Sequence, residues 1–162
     1  MSTDNRGDHG VAASVRLADL SSVGGVIRDD IKALAQDKNF ATISTILPSG
    51  AIQAHVVWVL CDDDHVLINT EVGLRKFKNV QSDPRVTVTV WVRKNPYCFA
   101  EIRGRVVEIV DGPEARANID ALAQKYLGTD YPQEWIFTER VILKVAPDSQ
   151  ILFAAGVHDI RR

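Results

Sequence analysis

The segment Gly73-Leu74-Arg75-Lys76-Phe77-Lys78-Asn79 sets three cations almost side by side in a chain whose formal charge is −2. Charge alone allows two roles, a solvated helix face or a grip on an anion. Two neighbouring features favour the grip. Gly73 stands immediately before a short helical pattern, so free backbone N–H groups would emerge beside Arg75 and Lys76. A helix start with a guanidinium fork and an ammonium makes a compact phosphate site. Asn69 and Thr70 end the preceding strand-like run and offer neutral partners to the same anion. Lys78 and Asn79 are either further ligands or the outer face of the helix. Phe77 and Val80 read as core packing, and Arg85 as surface of the next strand.

Other reactive residues carry weaker signals. His55 lies inside an apolar run, where a histidine is more often half-buried and satisfied than a base. Asp62-Asp63-Asp64-His65 has the residue types of a metal site, but adjacent side chains on a turn diverge, and the segment reads as a polar hairpin turn. Cys61 and Cys98 are the only cysteines, too few for a thiolate zinc site or a disulfide framework, so both read as reduced and the compartment as cytoplasmic. Glu101 and Arg103 share a strand face, and a cross-strand ion pair at a subunit contact is the plain expectation. No dinucleotide fingerprint, phosphate-binding P-loop, nucleophile elbow or zinc-protease motif occurs.

The elements that must position these residues follow from patterning. At 162 residues the chain is long enough to close one core. Residues 1–20 are polar and small and read as a flexible arm, with one domain over 21–162. The polar, charged first residues lead us to expect no secretory leader, and no apolar run reaches the length of a membrane span. The segment 23–36 places Val26, Ile27, Ile31, Leu34 and Ala35 on one helical stripe. The run 39–47, a Pro48-Ser49-Gly50 turn and the return strand 51–60 form a hairpin. A third strand covers 65–70, and Val86, Val88, Val90 and Val92 alternate with Thr87, Thr89 and Trp91. The run 97–110 is a long strand with Gly104 at a bend, 111–128 is a helix stopped by Gly128, and two late strands follow. The sum is five to seven antiparallel strands and three helices, a small mostly-β barrel of α+β type rather than a parallel doubly wound sheet.

Charge is unevenly spread. Between Arg75 and Arg105 eight Lys or Arg face two acids, a window of +6, leaving −8 for the rest of the chain. A concentrated positive region on an acidic protein suits a small anion better than nucleic acid, for which a strongly basic balance is usual.

These elements, and above all Thr-x-x-Gly-x-Arg-Lys-x-x-Asn followed by Asp-Pro-Arg-Val across Thr70–Val86, resemble the pyridoxamine-phosphate-oxidase-like flavin-binding split barrels. The resemblance spans about residues 30 to 146 and is closer to the deazaflavin-dependent, coenzyme F420-using branch than to the oxidase itself. It implies a six-stranded antiparallel split β-barrel with flanking helices. It also implies a homodimer with two cofactors at the subunit interface. The cofactor phosphate is then held by Arg75 and Lys76, supported by Asn69, Thr70, Lys78 and Asn79. The ring lies along His55, Val56, Val57, Trp58 and Val59, where main-chain groups meet its polar edge. The partner subunit closes the site from the strand that starts near Tyr97. The implied activity is hydride transfer from reduced F420 to a small conjugated acceptor, with His55, Tyr97 or solvent as proton source. An FMN-dependent reductase or oxidase is the alternative, and a non-catalytic cofactor-binding barrel is a reading of a different class.

Overall fold

The computed structural model describes residues 25–154; the expected arm at 1–20 and the chain beyond Ala154 lie outside them. Helix α1 spans Asp29–Gln36 and buries Ile31 and Ala35. It starts later than its apolar spacing suggests, and Val26 is 61% exposed rather than part of the buried stripe. Hydrogen bonds hold the entry extended. The Ile27 N–H donates to the Asp63 carbonyl at 2.8 Å, and Gln150 bridges the Arg28 N–H and the Val26 carbonyl at 3.0 and 3.1 Å.

Strands β1 (Phe40–Ile46) and β2 (Ile52–Val57) form the expected hairpin, with Gly50 at φ +84° in its turn. Then come β3 (Leu60–Cys61), β4 (Val66–Glu71), α2 (Arg75–Ser82), β5 (Arg85–Val92), β6 (Asn95–Val110), α3 (Gly112–Leu127) and β7 (Arg140–Ala154). All pairings are antiparallel, in the order β2-β1-β5-β6-β7-β4-β3. The sheet therefore has seven strands, not six. The extra strand arises because the run 51–60 breaks at Trp58-Val59, sending β2 to one edge of the sheet and β3 to the other. Two intervening residues span only about 10 Å, so the opposite edges must come close and the sheet must curl. The result is an antiparallel split barrel with flanking helices.

The break is pinned by α3. The Lys125 ammonium donates to the Val59 carbonyl at 2.8 Å and to the Ala35 carbonyl at 2.5 Å, and the Tyr126 hydroxyl donates to the Asn39 carbonyl. Ile119, Leu122 and Tyr126 of α3 pack against Phe40, Trp58, Leu60 and Tyr131, and so cover the gap. The barrel interior is aliphatic: Ala41, Ile43, Ile68, Val86, Val88, Val90, Ile102, Val141, Leu143 and Val145 interdigitate. The two expected late strands are one, β7, whose bend at Pro147 lies opposite Gly104 in β6. A Cβ on Gly104 would come within 2.0 Å of the Ala146 carbonyl oxygen, so only glycine lets the strands meet at this corner.

The outward face of β5 carries Thr87, Thr89 and Trp91, half-buried, flanked by Phe40 with ring centroids 5.6 Å from Trp91 and by a Phe99–Phe153 pair at 5.3 Å. Glu101 and Arg103 do pair, at 3.1 Å, but along one strand rather than across two. Asp62 closes the β3–β4 turn by accepting the N–H groups of Asp64 and His65 at 2.8 and 2.6 Å. Among the described residues no group of three or more His, Cys, Asp or Glu is placed to hold a metal ion, and both cysteines are free thiols. Cys61 packs against the core, and burial pushes its thiol above the ordinary range.

Candidate functional site

The end of β4 and the start of α2 build one wall of a cavity. Glu71 closes β4, and the turn Val72-Gly73-Leu74 reverses the chain, with the Leu74 N–H donating to the Glu71 carbonyl at 3.0 Å. The turn is tied to the chain entering β7: the Gly73 N–H donates to Thr138 Oγ1 at 3.3 Å. A Cβ at Gly73 would sit 3.2 Å from that threonine's side chain, a tight contact. No side chain caps α2; the Phe77 N–H donates to the Leu74 carbonyl at 3.2 Å, which leaves the N–H groups of Arg75 and Lys76 open to a ligand. Along the helix Val80 is buried and Phe77 packs on the core, as their spacing predicts.

The cavity holds about 340 Å³ and opens to solvent. Its polar part is made by Asn69, Thr70, Lys76 and Arg140 with Leu74, and Val56, Val57 and Trp58 of β2 and its exit line it too. Phe40, Ile119, Leu122, Tyr131 and Trp135 supply apolar walls, with Tyr131 edge-on to both Trp58 and Trp135. β2 is an edge strand, so part of its backbone hydrogen-bonding capacity points away from β1.

The polar part has an unbalanced charge inventory. Lys76 is only 9% exposed, and its ammonium makes no hydrogen bond or ion pair among the described residues. Burial first, and Arg140 second, lower its pKa, while Glu71 opposes them. Glu71 is buried and spends Oε2 on the backbone N–H and hydroxyl of Thr138, at 3.0 and 3.1 Å. Arg140 lies 4.6 Å over the Tyr131 ring and reaches Glu71 Oε1 only at 3.7 Å. Two cations thus share one carboxylate. Three buried polar atoms here have no partner: Asn69 Oδ1, Thr70 Oγ1 and Arg140 Nε. A group with several acceptor oxygens and negative charge would satisfy both cations and the Thr70 hydroxyl.

Six of the residues singled out from sequence converge on this cavity: Val56, Val57, Trp58, Asn69, Thr70 and Lys76. Six do not line it, among them Val59, which is buried in the core. Arg75 is exposed on the first turn of α2, and Lys78 is exposed on the same helix. Asn79 is buried and ties α2 to β1 and β2, donating to Thr45 Oγ1 at 3.0 Å and Gln53 Oε1 at 3.2 Å. His55 faces the α2 side of β2, where burial and then the Lys76 charge lower its pKa below 6.5. Tyr97 is exposed near the start of β6. Arg140, Glu71, Tyr131 and Trp135 were missed by sequence reasoning. The signal existed only as register, since Arg140 sits opposite Glu71 when β4 pairs with β7, and no local motif announces that pairing.

Residues 27–151 match the family model described as pyridoxamine 5'-phosphate oxidase. Among solved structures, an F420 reductase is similar, with a TM-score of 0.66 and 26% identity over 76% of this chain and 98% of that one. A conserved hypothetical protein from Mycobacterium tuberculosis shares the fold with a TM-score of 0.63 and 19% identity over 88% of this chain and 94% of its own. General stress protein 26 from Bacillus anthracis does so at 0.58 and 14% identity, over 78% of this chain and 92% of its own. Curated proteins give no sequence match. With the family model covering the whole barrel and its cavity, the chain belongs to the pyridoxamine 5'-phosphate oxidase family of split barrels.

Proposed function

We propose that the protein is an oxidoreductase that binds coenzyme F420 in this cavity and passes a hydride to a small conjugated organic acceptor. The observation that carries the reading is the cavity itself. It gathers a buried, unpartnered Lys76, the orphan Thr70 hydroxyl and the free edge of β2 around one space. That arrangement suits a ligand with an anionic tail and a flat polar-edged head. The F420 reductase at 26% identity supports the deazaflavin.

When bound, a deazaflavin supplies two-electron hydride chemistry from the carbon that replaces the central flavin nitrogen. Lys76, Thr70 and the start of α2 would hold the phosphate with Asn69 beside them, while Arg75 and Lys78, which are exposed, and Asn79, which is tied to Thr45 and Gln53, would stand outside its direct contacts. Main-chain groups of Val56, Val57 and Trp58 would meet the polar edge of the ring, and Phe40, Ile119 and Leu122 would keep water from it. Burial and then the Lys76 charge lower the pKa of His55, which disfavours its protonated, donating form. Tyr97 or solvent is then left as the proton donor. The sheet's outward face would meet a second copy, giving a homodimer, and with two free thiols we place the protein in the cytoplasm.

The second reading, FMN as cofactor, is favoured by the match to the family described as pyridoxamine 5'-phosphate oxidase. Fluorescence titration separates the two, because Trp58 and Trp135 line the cavity and report on its occupancy. Tight F420 binding with negligible FMN binding is expected, and the reverse would sink the deazaflavin reading. Binding without oxidation of reduced F420 by any conjugated acceptor would leave a carrier rather than an enzyme. Lys76→Ala should weaken F420 binding by about tenfold or more with the fold intact, the loss of one charge-assisted contact. Unchanged affinity would remove the phosphate role of Lys76.

A further inference from the structure

The strongest unexplained feature of the cavity is Arg140. It opens β7 directly opposite Glu71, with its side chain 11% exposed. A guanidinium and a carboxylate in good register form two short N–H···O bonds. Here their nearest approach is 3.7 Å, the other carboxylate oxygen is committed to Thr138, and Arg140 Nε is buried with no partner. The Tyr131 ring supports one face of the guanidinium, fixing its plane beside the cavity rather than against Glu71. Arg75, the obvious arginine from sequence, is exposed and does not line the cavity.

We propose that Arg140, with Lys76, is the principal ligand of the anion this cavity takes, and that Glu71 is a built-in counter-ion that positions Arg140 while holding the site's net charge to +1. The proposal rests on the reading of the cavity as a phosphate-bearing cofactor site and adds to it the residue that sets its strength. Burying two cations against one carboxylate is unfavourable unless a further anion arrives. A phosphate monoester has three non-bridging oxygens to meet Arg140, Lys76 and Thr70 Oγ1 together, and a diester has two non-bridging oxygens, each able to accept more than one hydrogen bond. Glu71 repels the same anion, so its charge weakens binding even as its hydrogen bonds to Thr138 shape the wall.

The test compares FMN and F420, each beside its phosphate-free ring compound (riboflavin for FMN, the ribityl deazaflavin for F420), on wild type and variants. For whichever phosphorylated cofactor binds wild type, Arg140→Gln should lower affinity about tenfold or more, while affinity for its phosphate-free ring compound stays unchanged. Arg140→Lys, which keeps the charge and the neighbour for Glu71, should fold and fall between the two. Arg75→Gln should change affinity by less than about threefold, as expected for an exposed charge screened by solvent. Glu71→Gln keeps an acceptor for Thr138 and should tighten the phosphorylated ligand several-fold. Affinity within twofold of wild type in Arg140→Gln, an equal loss for the phosphate-free ring compound, or weaker binding in Glu71→Gln would overturn the assignment. If wild type takes neither cofactor, the cofactor reading fails, and inorganic phosphate decides this proposal alone. Phosphate should then raise Tm in wild type but not in Arg140→Gln, and no rise in wild type overturns it.

Discussion

At the residue scale the account turns on two neighbours in sequence, Arg75 and Lys76. Consecutive residues on a helix point about 100° apart, so one of them faces the cavity and the other faces solvent. Sequence could find the pair but not choose between them, because the choice depends on which side of α2 meets β1 and β2. Asn79 makes that choice visible: its hydrogen bonds to Thr45 and Gln53 turn its side of the helix inward. Just past the same helix, Asp83 receives the backbone N–H of Arg85 at 3.1 Å and its guanidinium at 2.9 and 2.6 Å. The Arg85 side chain is the main cause that holds the Asp83 carboxyl down to about 2 from an ordinary 3.8. A depressed carboxyl pKa stabilises the fold above the unfolded value and stops doing so as pH falls through the folded one. Asp83→Asn should therefore lower Tm at pH 7, with the gap to wild type closing as pH drops from 3.8 toward 2. A gap that persists at pH 2 would mean the carboxylate charge is not what matters there.

At the scale of elements, strict alternation in Arg85–Val92 and the glycine stop of α3 were readable because each is a local rule. The break between β2 and β3 was not. Its apolar run is continuous, and it is split by tertiary partners on α3, Lys125 and Tyr126, more than sixty residues away. The fusion of two expected strands into β7 has the same origin: Pro147 looks like a terminator in sequence, but β6 bends with it at Gly104 and carries pairing past it. That corner is testable. Gly104→Ala forces a Cβ to within 2.0 Å of a carbonyl oxygen, with only backbone to give way. The variant should lose about 3 kcal/mol of stability, a Tm fall of roughly 6 to 12 °C, or fail to fold. Gly50→Ala, strained in its turn but with open space around it, should lose less. Equal losses would deny the corner its special role.

For the whole molecule, the curled sheet puts its aliphatic face inside and leaves a broad mixed face outside, where Trp91, Phe99 and Phe153 are only half-buried and Ile52 and Val56 are exposed. Val56 belongs both to that face and to the cavity wall, so a second copy seated there would also border the cofactor. Sedimentation should show a dimer, and Phe99→Asp should yield a folded monomer that binds F420 more weakly. A wild-type monomer with full affinity would separate the cavity from any interface. The described helices include none long and apolar enough to cross a membrane. The most direct test of the central claim is a crystal structure of the protein with F420 bound. Phosphate oxygens should lie within hydrogen-bonding reach of Lys76, Arg140 and Thr70, and the ring along Val56–Trp58. A cofactor seated elsewhere, such as the outer groove beside Thr89 and Phe99, or a phosphate held by Arg75 and Lys78 in solvent, would contradict it.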